Sequence, residues 1–272
     1  MNCQVDIIVI GDSPSGNSAI NALAANNPTI KLAFISSKFR STTTRDFLNV
    51  EYIKEEVEFI DYRNRLFGCY LKNGDRIYST HLILATGLKY EPLLVNNKLI
   101  TGVIHNTDDI PKNSKKQPAL VVGHDCSEDI KFALSVAKKY KQVYFCTSSF
   151  DFTNSSAANI TKLNNTDNIA VLPNTSILKV TNKNNLLTVD LDNYSTITCS
   201  AIYSKTHSVP DVSFVSNKLI TIDYNGAVIT NKNCESTSVP KCYAVGECAS
   251  SYNKKMLQLM VSDILQDFNG GY

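Results

Sequence analysis

One short pattern occurs twice in this chain, and it restricts the fold more than any other feature. Val5-Asp6-Ile7-Ile8-Val9-Ile10 is a β-branched run of the kind buried on both faces of a parallel sheet. It passes directly into Gly11-Asp12-Ser13-Pro14-Ser15-Gly16. Ala19, Ile20, Leu23 and Ala24 then recur at helical spacing until Asn26-Asn27-Pro28 stops the helix, and Lys31-Leu32-Ala33-Phe34-Ile35 reads as a second strand. About 112 residues later, Ala119-Leu120-Val121-Val122 runs into Gly123-His124-Asp125-Cys126-Ser127-Glu128. A helix with Ile130, Ala133, Leu134 and Ala137 follows, then a strand, Gln142-Val143-Tyr144-Phe145-Cys146. A β-turn-α-β unit repeated once at that distance implies two related α/β domains and not a solenoid.

Between the repeats, residues 50–61 and 66–72 alternate apolar and polar, which predicts a small antiparallel meander turning at Asn73-Gly74. His81-Leu82-Ile83-Leu84-Ala85 reads as another buried strand, closed by Thr86-Gly87. The polar stretch 147–168 reads as long loops, and 170–203 as further alternating strands. Residues 219–229 predict a hairpin around Asn225-Gly226, and 254–268 a last helix. The expected fold class is α/β with two Rossmann-like domains. The first is discontinuous (1–105 and 225–272), and the second (106–224) is inserted in it.

Composition removes several function classes. With 27 Lys+Arg against 25 Asp+Glu, the net charge of +2 argues against nucleic acid or a polybasic membrane surface as partner. No apolar stretch approaches the roughly 18 residues of a membrane span. The N-terminus has no basic residue ahead of its apolar run, so a signal peptide is not expected and a cytoplasmic location is. The eight cysteines (3, 69, 126, 146, 199, 234, 242, 248) form no Cys-x-x-Cys and no His-Cys cluster, so no metal site is expected and reduced, scattered thiols are. Sequons at Asn154, Asn159, Asn164, Asn174 and Asn193 follow from an asparagine-rich composition and carry no glycosylation claim.

The chemistry resides in the turns. A strand entering a helix through a glycine turn aims backbone N–H groups and the positive end of the helix dipole at an anion. In the dinucleotide fingerprint the first glycine makes the turn, the second admits the pyrophosphate, and the third allows helix–strand packing. Gly11 and Gly16 fill the first and third places, and Ser13 stands in the second.

The series of Gly11–Gly16 turn, Ala85-Thr86-Gly87 after a strand, second glycine turn, and Ser238-Val239-Pro240-Lys241-Cys242-Tyr243-Ala244-Val245-Gly246-Glu247 resembles the pyridine nucleotide-disulfide oxidoreductase superfamily, in its thioredoxin reductase-like group. The resemblance spans essentially the whole chain. It implies an FAD-dependent oxidoreductase, with FAD held by Gly11, Ser13, Pro14, Ser15, Gly16, Ser36, Val57, Ala85, Thr86, Gly87, Gly246 and Glu247. It further implies a small-molecule or protein electron partner, and it is compatible with a homodimer.

The departures are specific. Ser36-Ser37 ends the second strand, so the usual acidic ribose ligand is absent there. Lys38, Arg40 and Arg45 follow, as phosphate contacts or as a solvated face. At the second turn Asp125 occupies the middle-glycine place, and Cys146-Thr147-Ser148-Ser149 offers neither an acid for a ribose diol nor an arginine pair for a 2′-phosphate. Gly123, His124 and Ser127 are the residual candidates for NAD(P)H. The pattern argues against NADPH and, less strongly, against NADH, and a relic and a working site both stay open.

The family positions that supply a redox thiolate read Asn106-Thr107-Asp108-Asp109 and Ser41-Thr42-Thr43-Thr44. No catalytic residue is assigned. Cys126, at a helix start that could lower its pKa, and Cys248, beside Glu247, read as buried inert thiols. His105, His124 and His207 read as loop residues. The alternative to an enzyme is a non-catalytic flavin-binding or interaction protein that has kept the fold.

Overall fold

The structure, a computed structural model, describes residues 2–39, 47–105, 110, 117–183, 186–205, 208–236 and 238–269. The chain divides into two compact units, unit 1 (1–89 with 209–272) and unit 2 (90–208). The changeover falls about 16 residues earlier than the expected 105 and 225 on both crossings. The packing explains this. Leu93 lies in the cluster of Leu120 and Ile202, and Ile104 bridges to Tyr203, so 90–105 packs with unit 2. Val212, Val215, Leu219 and Ile220 pack with Ile8 and Phe67 in unit 1.

Nine strands build the two parallel sheets. In chain order they are β1 (Ile7–Ile10), β2 (Leu32–Ile35), β3 (Val50–Ile53), β4 (His81–Leu84), β5 (Pro118–Gly123), β6 (Gln142–Thr147), β7 (Ile169–Leu172), β8 (Ala201–Ser204) and β9 (Cys242–Ala244). The described helices longer than one turn are α1 (Pro14–Asn26), α2 (Ser127–Ala137), α3 (Ala157–Asn164) and α4 (Lys254–Asn269).

Unit 1 holds the all-parallel order β9-β4-β1-β2-β3. Strand β1 is central and, like β2 and β4, buried at every residue, as its β-branched run requires. One face is covered by α1 and α4, where Ile20 and Leu23 meet Phe34, Met260 and Ile264. The other is covered by a meander of Val57–Arg63, Leu66–Leu71 and Arg76–Ser79, whose Phe67, Cys69 and Ile77 meet Ile8 and Ile10. Residues 50–53 do not belong to that meander, contrary to expectation. They pair in parallel with β2, Ile53 opposite Ile35.

Unit 2 repeats the plan with the order β7-β6-β5-β8, α2 and α3 on one face and an antiparallel meander on the other. The polar stretch after β6 is not wholly loop. Ser156 caps α3 by accepting from the Asn159 N–H. The expected hairpin at 219–229 reduces to a single bridge, Ile222 to Val228. The Asp223 carboxylate accepts from the Asn225 and Ala227 N–H groups and holds a tight turn there without flanking strands. No described helix is long and apolar enough to cross a membrane, and the described residues hold no cluster of metal-ligating side chains.

Candidate functional site: a cleft at the first glycine turn

A cleft of about 680 Å³ opens in unit 1 at the C-terminal ends of β1, β2 and β4. That edge is where open parallel sheets take ligands. Gly11 leaves β1 with φ +103°, and a Cβ there would strike the Ala85 and Thr86 backbone. A Cβ on Gly16 would strike the Gly11 carbonyl oxygen, so both glycines are fixed by close packing between turn, helix and β4. Ser13, in the middle-glycine place, caps α1: its hydroxyl oxygen accepts from the Gly16 N–H at 3.1 Å. Pro14 follows at the first helical position, where its missing N–H costs nothing.

Gly87 has φ +68°, and a Cβ there would stand 3.9 Å from Glu247 Oε2 and 4.0 Å from Ser13 Cβ. The bare backbone thus leaves free the space that Ser13, Gly87 and Glu247 enclose at the N-terminus of α1, where a helix dipole favours an anion. Gly246, at φ +79°, brings the C-terminal motif against α1.

Of the residues expected to hold FAD, Gly11, Ser13, Pro14, Ser36, Val57, Thr86, Gly87 and Glu247 line the cleft. Ser15, Gly16, Ala85 and Gly246 are not among its lining residues. Sequence reasoning missed the acidic stretch Glu55, Glu56 and Glu58, and the returning segment Asp211, Ser213 and Phe214. Lys89 reaches Ser213 Oγ at 2.6 Å and Asp211 at 3.1 Å, and Lys72 pairs with Glu56 at 2.8 Å. Six carboxylates and three lysines line the cleft, an excess of negative charge that opposes an anionic ligand, while the α1 N-terminus favours one.

The second turn has the same topology, and its helix residue Asp129 folds back over it as Asn17 does over the first. Asp129, buried at 4% exposure, sends its carboxylate back over the turn, where Oδ2 accepts from the His124 N–H at 2.7 Å and lies 3.6 Å from His124 Nδ1. A Cβ on Gly123 would meet Asp129 at 3.0 Å. The 150s segment is tied to the same turn. Asp125 Oδ2 accepts from Asn154, the Asp125 carbonyl accepts from the Ser155 hydroxyl, and Ser127 Oγ accepts from the Ser156 N–H at 3.0 Å. The Asp129 carboxylate and the 150s segment thus both bond the turn that carries Gly123, His124 and Ser127.

Six of the eight thiols are buried, whereas Cys3 and Cys126, the latter expected to be buried, are half-buried. Cys248 is fully buried, its Sγ 3.3 Å from the Leu84 and Val245 carbonyl oxygens, and burial pushes its pKa up. Cys126 is the N-cap of α2 but makes no side-chain cap bond. Burial raises its pKa, against the lowering expected at a helix start. His105 stacks on Tyr90 at 4.8 Å and bonds the Ser204 carbonyl through Nδ1, a packing role within unit 2. Arg40, Arg45, His207 and the two stretches read as lost redox centres, 41–44 and 106–109, lie outside the described residues.

Two α/β units, each with a glycine turn at the C-terminal edge of a parallel sheet, define a protein with the architecture of a dinucleotide-binding flavoprotein reductase. The chain belongs to the pyridine nucleotide-disulphide oxidoreductase family, whose model matches residues 10–246. Among solved structures it is similar to the thioredoxin reductase of Lactococcus lactis (TM-score 0.69, 15% identity, 98% of this chain and 97% of that one). It is also similar to the thioredoxin reductase of T. acidophilum (TM-score 0.64, 14% identity, 96% and 95%). A third is a pyridine nucleotide-disulfide family oxidoreductase of Enterococcus faecalis V583 (TM-score 0.69, 16% identity, 96% and 68%). No curated protein matches the sequence.

Proposed function

We propose that this chain is an FAD-dependent oxidoreductase of the thioredoxin reductase-like group that works without a redox disulfide and without seating NAD(P)H at its second glycine turn. The observation that carries the reading is the contrast between the two turns. At the first, Ser13, Gly87 and Glu247 enclose open space at a helix N-terminus. At the second, the 150s segment is tied across the turn through Asp125 and Ser127. Bound FAD supplies reversible two-electron transfer. The chain's own part is to hold its pyrophosphate at the N-terminus of α1, to leave room at Gly87, and to present Glu247, Lys89 and Asp211 to the cleft. Family membership and the missing thiolates support the rest of the reading.

The ties of the second turn to the 150s segment also favour a second reading, a flavin-binding protein that performs no catalysis. Anaerobic reduction of the FAD-loaded protein separates them. The enzyme reading expects flavin reduced by dithionite to pass electrons to a quinone acceptor with repeated turnover, and expects no bleaching by NADH or NADPH. Flavin that dithionite reduces but no acceptor reoxidises supports the second reading. Rapid bleaching by NADH or NADPH contradicts the assignment of the second turn.

A further inference from the structure

Dinucleotide folds read the adenosine ribose with an acid at the end of the second strand, and here that place is Ser36. Its hydroxyl is committed locally, donating to the Lys38 carbonyl at 3.0 Å and accepting from the Lys38 N–H at 3.3 Å. An acidic residue nevertheless comes beside it from the neighbouring strand. The Ile53 carbonyl oxygen accepts two N–H groups, from Ser36 at 3.1 Å and from Glu55 at 3.1 Å. Two donors on one oxygen lie within roughly twice that distance of each other. The backbone of Glu55 is therefore beside that of Ser36, a placement fixed by the parallel β2–β3 register.

We propose that Glu55 is the carboxylate that reads the ribose diol of the adenine nucleotide in the unit 1 cleft, in place of the acid missing from β2. The inference rests on reading that cleft as the FAD site. Glu55 lines it alongside Ser36 and Ser37 and is half-buried, whereas Glu56 and Glu58 are exposed. Glu55 Oε1 accepts the Glu56 N–H at 2.8 Å, which orients the carboxylate. A carboxylate has about four lone-pair sites, so capacity for two hydroxyl donors remains. Glu56 is engaged by Lys72 and is the poorer candidate. The assignment also fixes ligand class. A carboxylate at the ribose favours a free diol and repels a 2′-phosphate, whereas Lys38, at the same end of the cleft, would favour the phosphate.

Calorimetric titration of wild type, Glu55→Gln and Glu56→Gln with ADP, 2′-deoxy-ADP and adenosine 2′,5′-bisphosphate tests this. In wild type, ADP should bind about tenfold tighter than 2′-deoxy-ADP, the worth of one charge-assisted hydrogen bond, and the 2′-phosphate should weaken binding. In Glu55→Gln the gap should shrink to about twofold or less, with 2′-deoxy-ADP bound as before, and Glu56→Gln should keep the gap. An undiminished gap in Glu55→Gln overturns the proposal while leaving the nucleotide site intact. So does tighter wild-type binding of the 2′-phosphate, which would give this end to Lys38. No binding of ADP to wild type overturns both this proposal and the FAD reading beneath it.

Discussion

Gly246 lies directly against Ser15: with φ at +79°, a Cβ on Gly246 would stand 2.8 Å from the Ser15 hydroxyl oxygen. The C-terminal Gly-Glu pair is thereby pinned to the first turn of α1, which sets Glu247 on the cleft. Gly246→Ala has to pay for a left-handed backbone and for moving Ser15. It should cost about 1–2 kcal/mol and lower the thermal midpoint by a few degrees. Ser15→Gly in the same background should recover the part of the loss due to contact and leave the part due to φ, as thermal melts of the four proteins would show.

Asp129 braces the second turn through the His124 N–H. Asp129→Ala removes a buried acceptor and its bond from the His124 N–H, so the expected loss is about 1–3 kcal/mol in a urea melt. The space it opens remains bounded by Asp125 and the 150s segment, so the variant should still show no NADH or NADPH binding by fluorescence.

Acid should weaken unit 1 through His81. The ring is 1% exposed on β4, with Nε2 3.2 Å from Asp267 of α4 and Nδ1 2.9 Å from the Thr80 hydroxyl, while Lys241 pairs with Asp267 at 2.8 Å. Burial lowers the His81 pKa and outweighs the raising effect of its bond to Asp267. The folded state therefore keeps the ring neutral where the unfolded chain already binds a proton. Stability should fall as pH drops below the ordinary value of 6.5, levelling once the folded ring titrates as well. Asp267, held below its ordinary 3.8 chiefly by its bond from Lys241, adds a second loss at lower pH. Melting wild type and His81→Asn between pH 8 and 5 should show the first decline in wild type and a flatter profile in the variant.

The same arrangement shows what could be read from residue order. The twin β-turn-α-β units, the buried strands and the Gly11 turn were legible because each is local: β-branched runs, Ser13-Pro14 at a helix start, Asn27-Pro28 at its end. The pairing of residues 50–53 with β2 was not, because their partly exposed pattern also suits a meander strand and parallel partners are remote in sequence. Glu55 escaped notice for that reason, since its closeness to Ser36 exists only in that register. Asp129 escaped because it lies past the glycine motif, on the helix, and turns back. The short helix α3 was hidden by a polar sequence that buries only Asn159 and Leu163.

Cys248 should be chemically silent. Its Sγ contacts the Leu84 and Val245 carbonyls and burial raises its pKa, so a thiolate at neutral pH is disfavoured. Native protein should leave this thiol unmodified by a small disulfide reagent, as mass mapping after labelling would show. Cys248→Ser should lose no disulfide reductase activity relative to wild type, assayed with chemically reduced flavin. Robust wild-type turnover abolished in the variant would identify Cys248 as a relocated redox thiol.

The central claim is that the open space at Ser13, Gly87 and Glu247 holds FAD while the second turn holds no nucleotide. Spectroscopic titration of the flavin-free protein with FAD, beside Gly87→Leu, which fills that space, tests it most directly. Wild type should take up one equivalent of FAD, and Gly87→Leu, while still folded by circular dichroism, should bind at least about tenfold more weakly through strain at φ +68° and loss of that space. Failure of wild type to take up FAD, or undiminished uptake by folded Gly87→Leu, would contradict it.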